Sequence, residues 1–150
     1  MGDLEAARQA YAQALDSDGK FVKPYLQLAG MSARGQNWEE LAQTTSQVLR
    51  LDPYNYPQIY YFNAVAQLNL RHVDEAEKGA RQAVKMDKQN QFPGANHGLG
   101  VILAAKGEMA EAAGYLKAYL KLAPAAPDAE VARKRLATIE AAAADAVATA

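Results

Sequence analysis

Cysteine is absent from this chain, which excludes a disulfide framework, a thiolate nucleophile and a thiolate-bound metal. Neither sign of charge is in excess. Lys and Arg number 16 against 17 Asp and Glu, for a formal net charge of −1, so no global field draws the chain to nucleic acid or to an anionic membrane. Long apolar runs are also missing. The longest, from Gly98 to Ala105, is far shorter than the roughly 20 residues that cross a bilayer. Residues 1–5 show no charged stretch leading into an apolar one, so no leader peptide is visible. Histidine occurs only as His72 and His97, far apart and without a second ligand at helical spacing, so no metal site is expected. Ser17, Ser32 and Ser46 lie in no nucleophile motif. Neither a catalytic constellation nor a cofactor motif is present, and the chain reads as a non-enzyme. Half of its 150 residues are hydrophobic, which is enough for a folded, soluble domain.

What the chain does have is an internal repeat. The segment beginning at Gln13 recurs at Gln47, Gln82 and Ala118, at spacings of 34, 35 and 36. A second ladder begins at Gly2, Gln36, Arg71 and Gly107, with the same three spacings. Apolar and small residues recur at three- and four-residue steps through each segment, as in Trp38, Leu41, Thr45, Val48 and Leu49. Further helical stretches are expected over Phe21–Arg34, Pro57–Leu70 and Gly94–Lys106. No segment sustains period-two alternation, so no strand is expected. The unit is a pair of helices joined by a short turn.

This pattern resembles the tetratricopeptide repeat family. Tyr25, Leu28, Ala29, Leu41 and Pro53 match its motif in one unit, Tyr60, Ala64 and Ala76 in the next, and Leu99, Gly100, Leu103, Ala112, Leu116 and Pro124 in the last. Ser32, Thr45, Asn63, Gln67 and Asn96 depart from it. The resemblance implies an all-α, right-handed superhelical solenoid of antiparallel helix pairs. The expected divisions are a half repeat over 1–19, full repeats over 20–53, 54–88 and 89–124, and a capping helix with a frayed tail over 125–150. Ala64 and Gly100 are expected where the helices of one unit cross, and Ala76 and Ala112 against the next unit. The chain opens directly in a second helix, so it reads as a fragment of a longer protein, and its compartment stays unassigned.

The stretch "DPYNYPQIYY", Asp52 to Tyr61, carries half of the eight tyrosines. It reads mainly as a joint. Pro53 stops one helix, Asn55 and Gln58 make a candidate capping box, Tyr54 is placed to staple on Ile59, and Pro57 suits a first helical turn. Only Tyr61 points elsewhere. It belongs to a second stripe on the first helices of the units, set three or four residues apart.

Arrays of this family commonly bind a peptide segment of a partner protein in the concave groove that their first helices line. The groove residues expected here are Lys23, Leu26, Gln58, Tyr61, Val65, Leu68, Asn69, His97 and Val101. The positions where related co-chaperones place a carboxylate clamp hold Leu26, Gly30, Phe62, Gly94 and Gly98, so that mode is not expected. The alternative is a structural spacer or self-assembly element, with self-association through the uncovered first helix.

Overall fold

Gln36, Arg71 and Gly107, three starts of the second ladder, share one backbone conformation. Their φ angles are 55°, 68° and 87°, in the left-handed region that closes a helix and turns the chain back. Each ends the first helix of a pair. The computed structural model describes residues 6 and 22–149. The half repeat expected over 1–19 therefore lies outside the described residues, apart from Ala6.

The described residues form seven helices: α1 Val22–Arg34, α2 Trp38–Leu51, α3 Pro57–Asn69, α4 Val73–Met86, α5 Gly94–Ala105, α6 Met109–Leu122 and α7 Ala129–Thr149. No strand is present among them. Each helix packs on the next, and α1, α3 and α5 also touch in series. The result is an all-α helical-repeat solenoid in which the first helices stand side by side on one face.

Local chemistry sets the helix ends. The Asn37 side chain accepts a hydrogen bond from the Glu40 amide at 3.3 Å, capping α2, and Glu39 and Glu40 occupy the first turn, where carboxylates favour the positive end of the helix. Pro57 begins α3 as expected. Two details of that joint differ from expectation. Asn55 does not cap α3; its Nδ2 donates to Asp52 Oδ2 at 2.7 Å. Tyr54 is 82% exposed and staples nothing, because the Asp52 carboxylate also takes the Tyr54 amide and folds the loop outward. Tyr56 packs against the Ile59 cluster instead.

Small residues permit the crossings. A Cβ on Gly100 would lie 2.9 Å from Leu116 Cγ and 3.2 Å from the Ala112 carbonyl. Ala112 thus also backs onto its own unit. A Cβ on Gly79 would lie 3.2 Å from the Tyr60 carbonyl and 3.5 Å from Ala64 Cβ, which makes Gly79 the partner of Ala64 at the other crossing. The largest core cluster joins Ala64, Ala76, Leu99, Leu103 and Leu116 to Ile139 of α7, so α7 covers the apolar end of the last pair.

The two seams between pairs are built differently. Between α2 and α3, Asn63 Nδ2 donates to Thr45 Oγ1 at 2.8 Å, and the Thr45 hydroxyl donates to the Leu41 carbonyl at 2.7 Å. Between the second and third pairs, Lys106 engages Asp74 at 2.9 Å and also Glu77, while Arg81 meets Glu77 at 2.9 Å and Glu111 at 2.8 Å. These bonds lower the carboxyl pKa values of Asp74, Glu77 and Glu111 and raise those of Lys106 and Arg81.

Candidate functional site

α3 carries apolar residues around most of its circumference. Ile59, Ala64 and Ala66 are buried, but Tyr61, Val65 and Leu68 are only half-buried. These three share a cavity of about 180 Å³ with His97 and Val101 of α5. The cavity opens on the side of the first helices and runs beside α7, where Asp128 and Arg135 complete its wall. A broader trough of about 480 Å³ continues along Val101 and Ala104 to Val131, Lys134 and Thr138 of α7.

The Tyr61 ring lies against the backbone of Gly98. A Cβ there would come within 2.6 Å of Tyr61 Cε2. The ring also meets Phe92 edge-on, with centroids 5.1 Å apart. Burial raises the pKa of its phenol, and the negative charge of Asp128 adds to the effect.

His97 is stacked on Tyr119 at 4.8 Å, and its Nδ1 lies 3.1 Å from Asp128 Oδ2. The Tyr119 hydroxyl donates to the other Asp128 oxygen, which is the main reason the Asp128 carboxyl pKa is lowered. Burial raises the Tyr119 phenol to about 12, with the Asp128 bond adding to it. An ionised carboxylate only accepts, so Nδ1 of neutral His97 carries the proton and Nε2 holds a lone pair. That Nε2 is buried without a hydrogen-bond partner. Burial lowers the His97 pKa and outweighs the attraction of Asp128. The aspartate orients the imidazole, but no Ser, Thr or Lys lines the cavity for it to activate. Among the described residues no group of three or more His, Asp or Glu is arranged to hold a metal, and no helix is long and apolar enough to cross a membrane.

Of the nine groove residues expected from sequence, five meet around this cavity: Tyr61, Val65, Leu68, His97 and Val101. Leu26 packs instead on the cluster of Tyr25, Val48 and Ile59. Gln58 lines a separate hollow with Phe62, Asp87 and Phe92. Asn69 is exposed at the end of α3, where its Nδ2 donates to the Val65 carbonyl at 2.8 Å. The side chain of Lys23 lies outside the described residues. Asp128, Arg135 and Gly98 are not among the groove residues expected from sequence. The signal for the α7 wall was Val131, Lys134, Arg135 and Thr138, a stripe at helical steps beside the buried Ala132 and Ile139 and the half-buried Leu136.

The described helices form a helical-repeat array with an apolar cavity on the first-helix face. Its fold is that of the tetratricopeptide repeat domains. The structure of MamA protein superposes with a TM-score of 0.79 at 18% identity, covering 97% of this chain and 78% of that one. The Arabidopsis OM64 TPR domain gives 0.65 at 26% identity, covering 75% and 90%. The Yersinia enterocolitica type III secretion chaperone SycD, in complex with a peptide of the translocator YopD, gives 0.68 at 19% identity, covering 83% and 93%. No family model and no curated sequence matches the chain.

Proposed function

We propose that this chain is a non-catalytic protein–protein interaction module that holds a peptide segment of a partner in its first-helix groove, with the Tyr61 cavity as anchor site. The observation that carries the reading is the half-buried apolar set of Tyr61, Val65, Leu68 and Val101 around one open cavity of about 180 Å³, a volume suited to a single large side chain. Peptide complexes such as that of SycD with its translocator peptide support the use of this fold in that way. The groove residues that gather there are Tyr61, Val65, Leu68, His97 and Val101.

The test is selection from a displayed library of random dodecapeptides, followed by mapping of the selected peptides through backbone amide shifts. Shifts should concentrate on α3 and α5. Tyr61→Ala should weaken the selected peptides by about 2 kcal/mol or more, the usual cost of truncating a central aromatic anchor. Tyr60, whose hydroxyl donates to the Pro53 carbonyl at 3.0 Å, is the control, and Tyr60→Ala should lower stability with affinity retained. A chain that selects no peptide and gains mass with concentration would instead be the spacer or self-assembly element.

A further inference from the structure

Several acids and cations among the described residues are paired with one another. Asp74, Glu77 and Glu111 are held by Lys106 and Arg81 along the second helices. Lys117 and Glu140 pair at 2.9 Å, and Arg133 is taken by Glu130 and the Pro124 carbonyl. Lys134 and Arg135 differ. Both are exposed, and neither forms an ion pair within the described residues. They stand on the α7 wall of the trough, opposite Val101 and Ala104, and Arg135 also borders the Tyr61 cavity. Asp128, the carboxylate that lines the Tyr61 cavity, is engaged by Tyr119 and His97. Val131, 52% exposed, continues the apolar surface on the same stripe. One side of the trough is therefore apolar and the other carries two uncompensated cations.

We propose that the trough between α5 and α7 receives an acidic peptide segment with an apolar anchor. The anchor side chain fills the Tyr61 cavity, and a carboxylate close to it in sequence lies against Lys134 and Arg135. The inference deepens the groove reading and rests on it. Two cations beside an apolar floor suit a peptide better than a nucleic-acid backbone, which needs a longer basic track. Electrostatic complementarity at such a rim sets partner choice and association rate more than total affinity.

The probe is the same random dodecapeptide library, selected in parallel on the wild-type chain, on the double variant Lys134→Gln/Arg135→Gln and on the charge reversal Lys134→Glu/Arg135→Glu. Both positions are exposed, and circular dichroism verifies that the variants fold. Wild-type selection should enrich Asp or Glu within a few residues of a large apolar residue. The neutral variant should lose the acidic preference, keep the apolar one and bind the wild-type-selected peptides about five- to tenfold more weakly. The reversed variant should select basic residues in their place. Selected peptides that map to the trough with no charge preference would overturn this inference and leave the groove reading standing. Peptides that map elsewhere, or no enrichment over the blank support, would overturn both.

Discussion

Three glycines of the last pair, Gly98, Gly100 and Gly114, separate three kinds of space, and alanine at each gives a different result. At Gly100 the new methyl meets Leu116 Cγ at 2.9 Å and the Ala112 carbonyl at 3.2 Å. A backbone oxygen cannot step aside without parting the helices, so Gly100→Ala should lose about 1–3 kcal/mol by denaturant unfolding. Gly114 has nothing within 4 Å of its would-be Cβ, and Gly114→Ala should gain about 0.5–1 kcal/mol from helix propensity. At Gly98 the obstacle is the Tyr61 ring, a half-buried side chain that can swing toward solvent. Gly98→Ala should change stability little while shifting the Tyr61 ring resonances and reshaping the cavity. Equal melting temperatures for all three variants would contradict the crossing geometry. The polar departures from the repeat motif also resolve at this scale. Asn63 and Thr45 bond to each other across a seam, Ser32 donates to Glu40, and Gln67 Oε1 accepts from His72 Nδ1 at 2.8 Å. Each of these four polar side chains at a usually apolar slot has found a partner, so an interior place does not leave it unsatisfied.

At the scale of elements, the three left-handed turns are unequal. Gly107 takes φ 87° without steric cost, whereas Gln36 and Arg71 hold similar angles with a Cβ, at a cost of roughly 1 kcal/mol each. Gln36→Gly and Arg71→Gly should therefore each stabilise the chain by up to about 0.5 kcal/mol in chemical denaturation, after the added freedom of the unfolded glycine is deducted. Loss of stability in both would mean that their side chains do more than the backbone asks. The repeat spacing makes these turns legible in the sequence: Gln36, Arg71 and Gly107 head one ladder, and the helices expected over 57–70 and 94–106 end within a residue of those observed. The joint at Asp52–Pro57 was less legible. Asn55 and Gln58 satisfy a capping-box pattern, yet the Asp52 carboxylate, closer in the loop, captures Asn55 first. Half of the cavity could be read because α3 and α5 share a stripe. Its third wall could not, because α7 follows no repeat and its facing charges look in sequence like an ordinary solvated surface.

For the whole molecule, α7 is the lid on the last core, and His97, Asp128 and Tyr119 fasten its start to α5 and α6. His97 is held below its ordinary pKa by burial, so the folded state favours its neutral form. That contribution is complete above about pH 6.5 and is lost as pH falls through the lowered folded value. Asp128 is also depressed, and its contribution disappears only at more acid pH, below the ordinary carboxylate value of about 3.9. Hydrogen-exchange protection of α7 should accordingly fall in two steps on acidification. His97→Gln should abolish the first step and keep the second; a first step that survives the substitution would assign it to another group. Arg135 faces the same ring and opposes its protonation, so the variants at Arg135 should move the first step toward higher pH.

The unlike seams make ionic strength a mechanical variable. The neutral seam at Asn63 and Thr45 has no net charge to screen, whereas the chain of Asp74, Lys106, Glu77, Arg81 and Glu111 is partly exposed and weakens as the Debye length shortens to about 8 Å at 0.15 M salt and about 3 Å at 1 M. One joint of the spring therefore softens with salt while the other keeps its stiffness. The softening joint links the same two pairs whose first helices form the Tyr61 cavity.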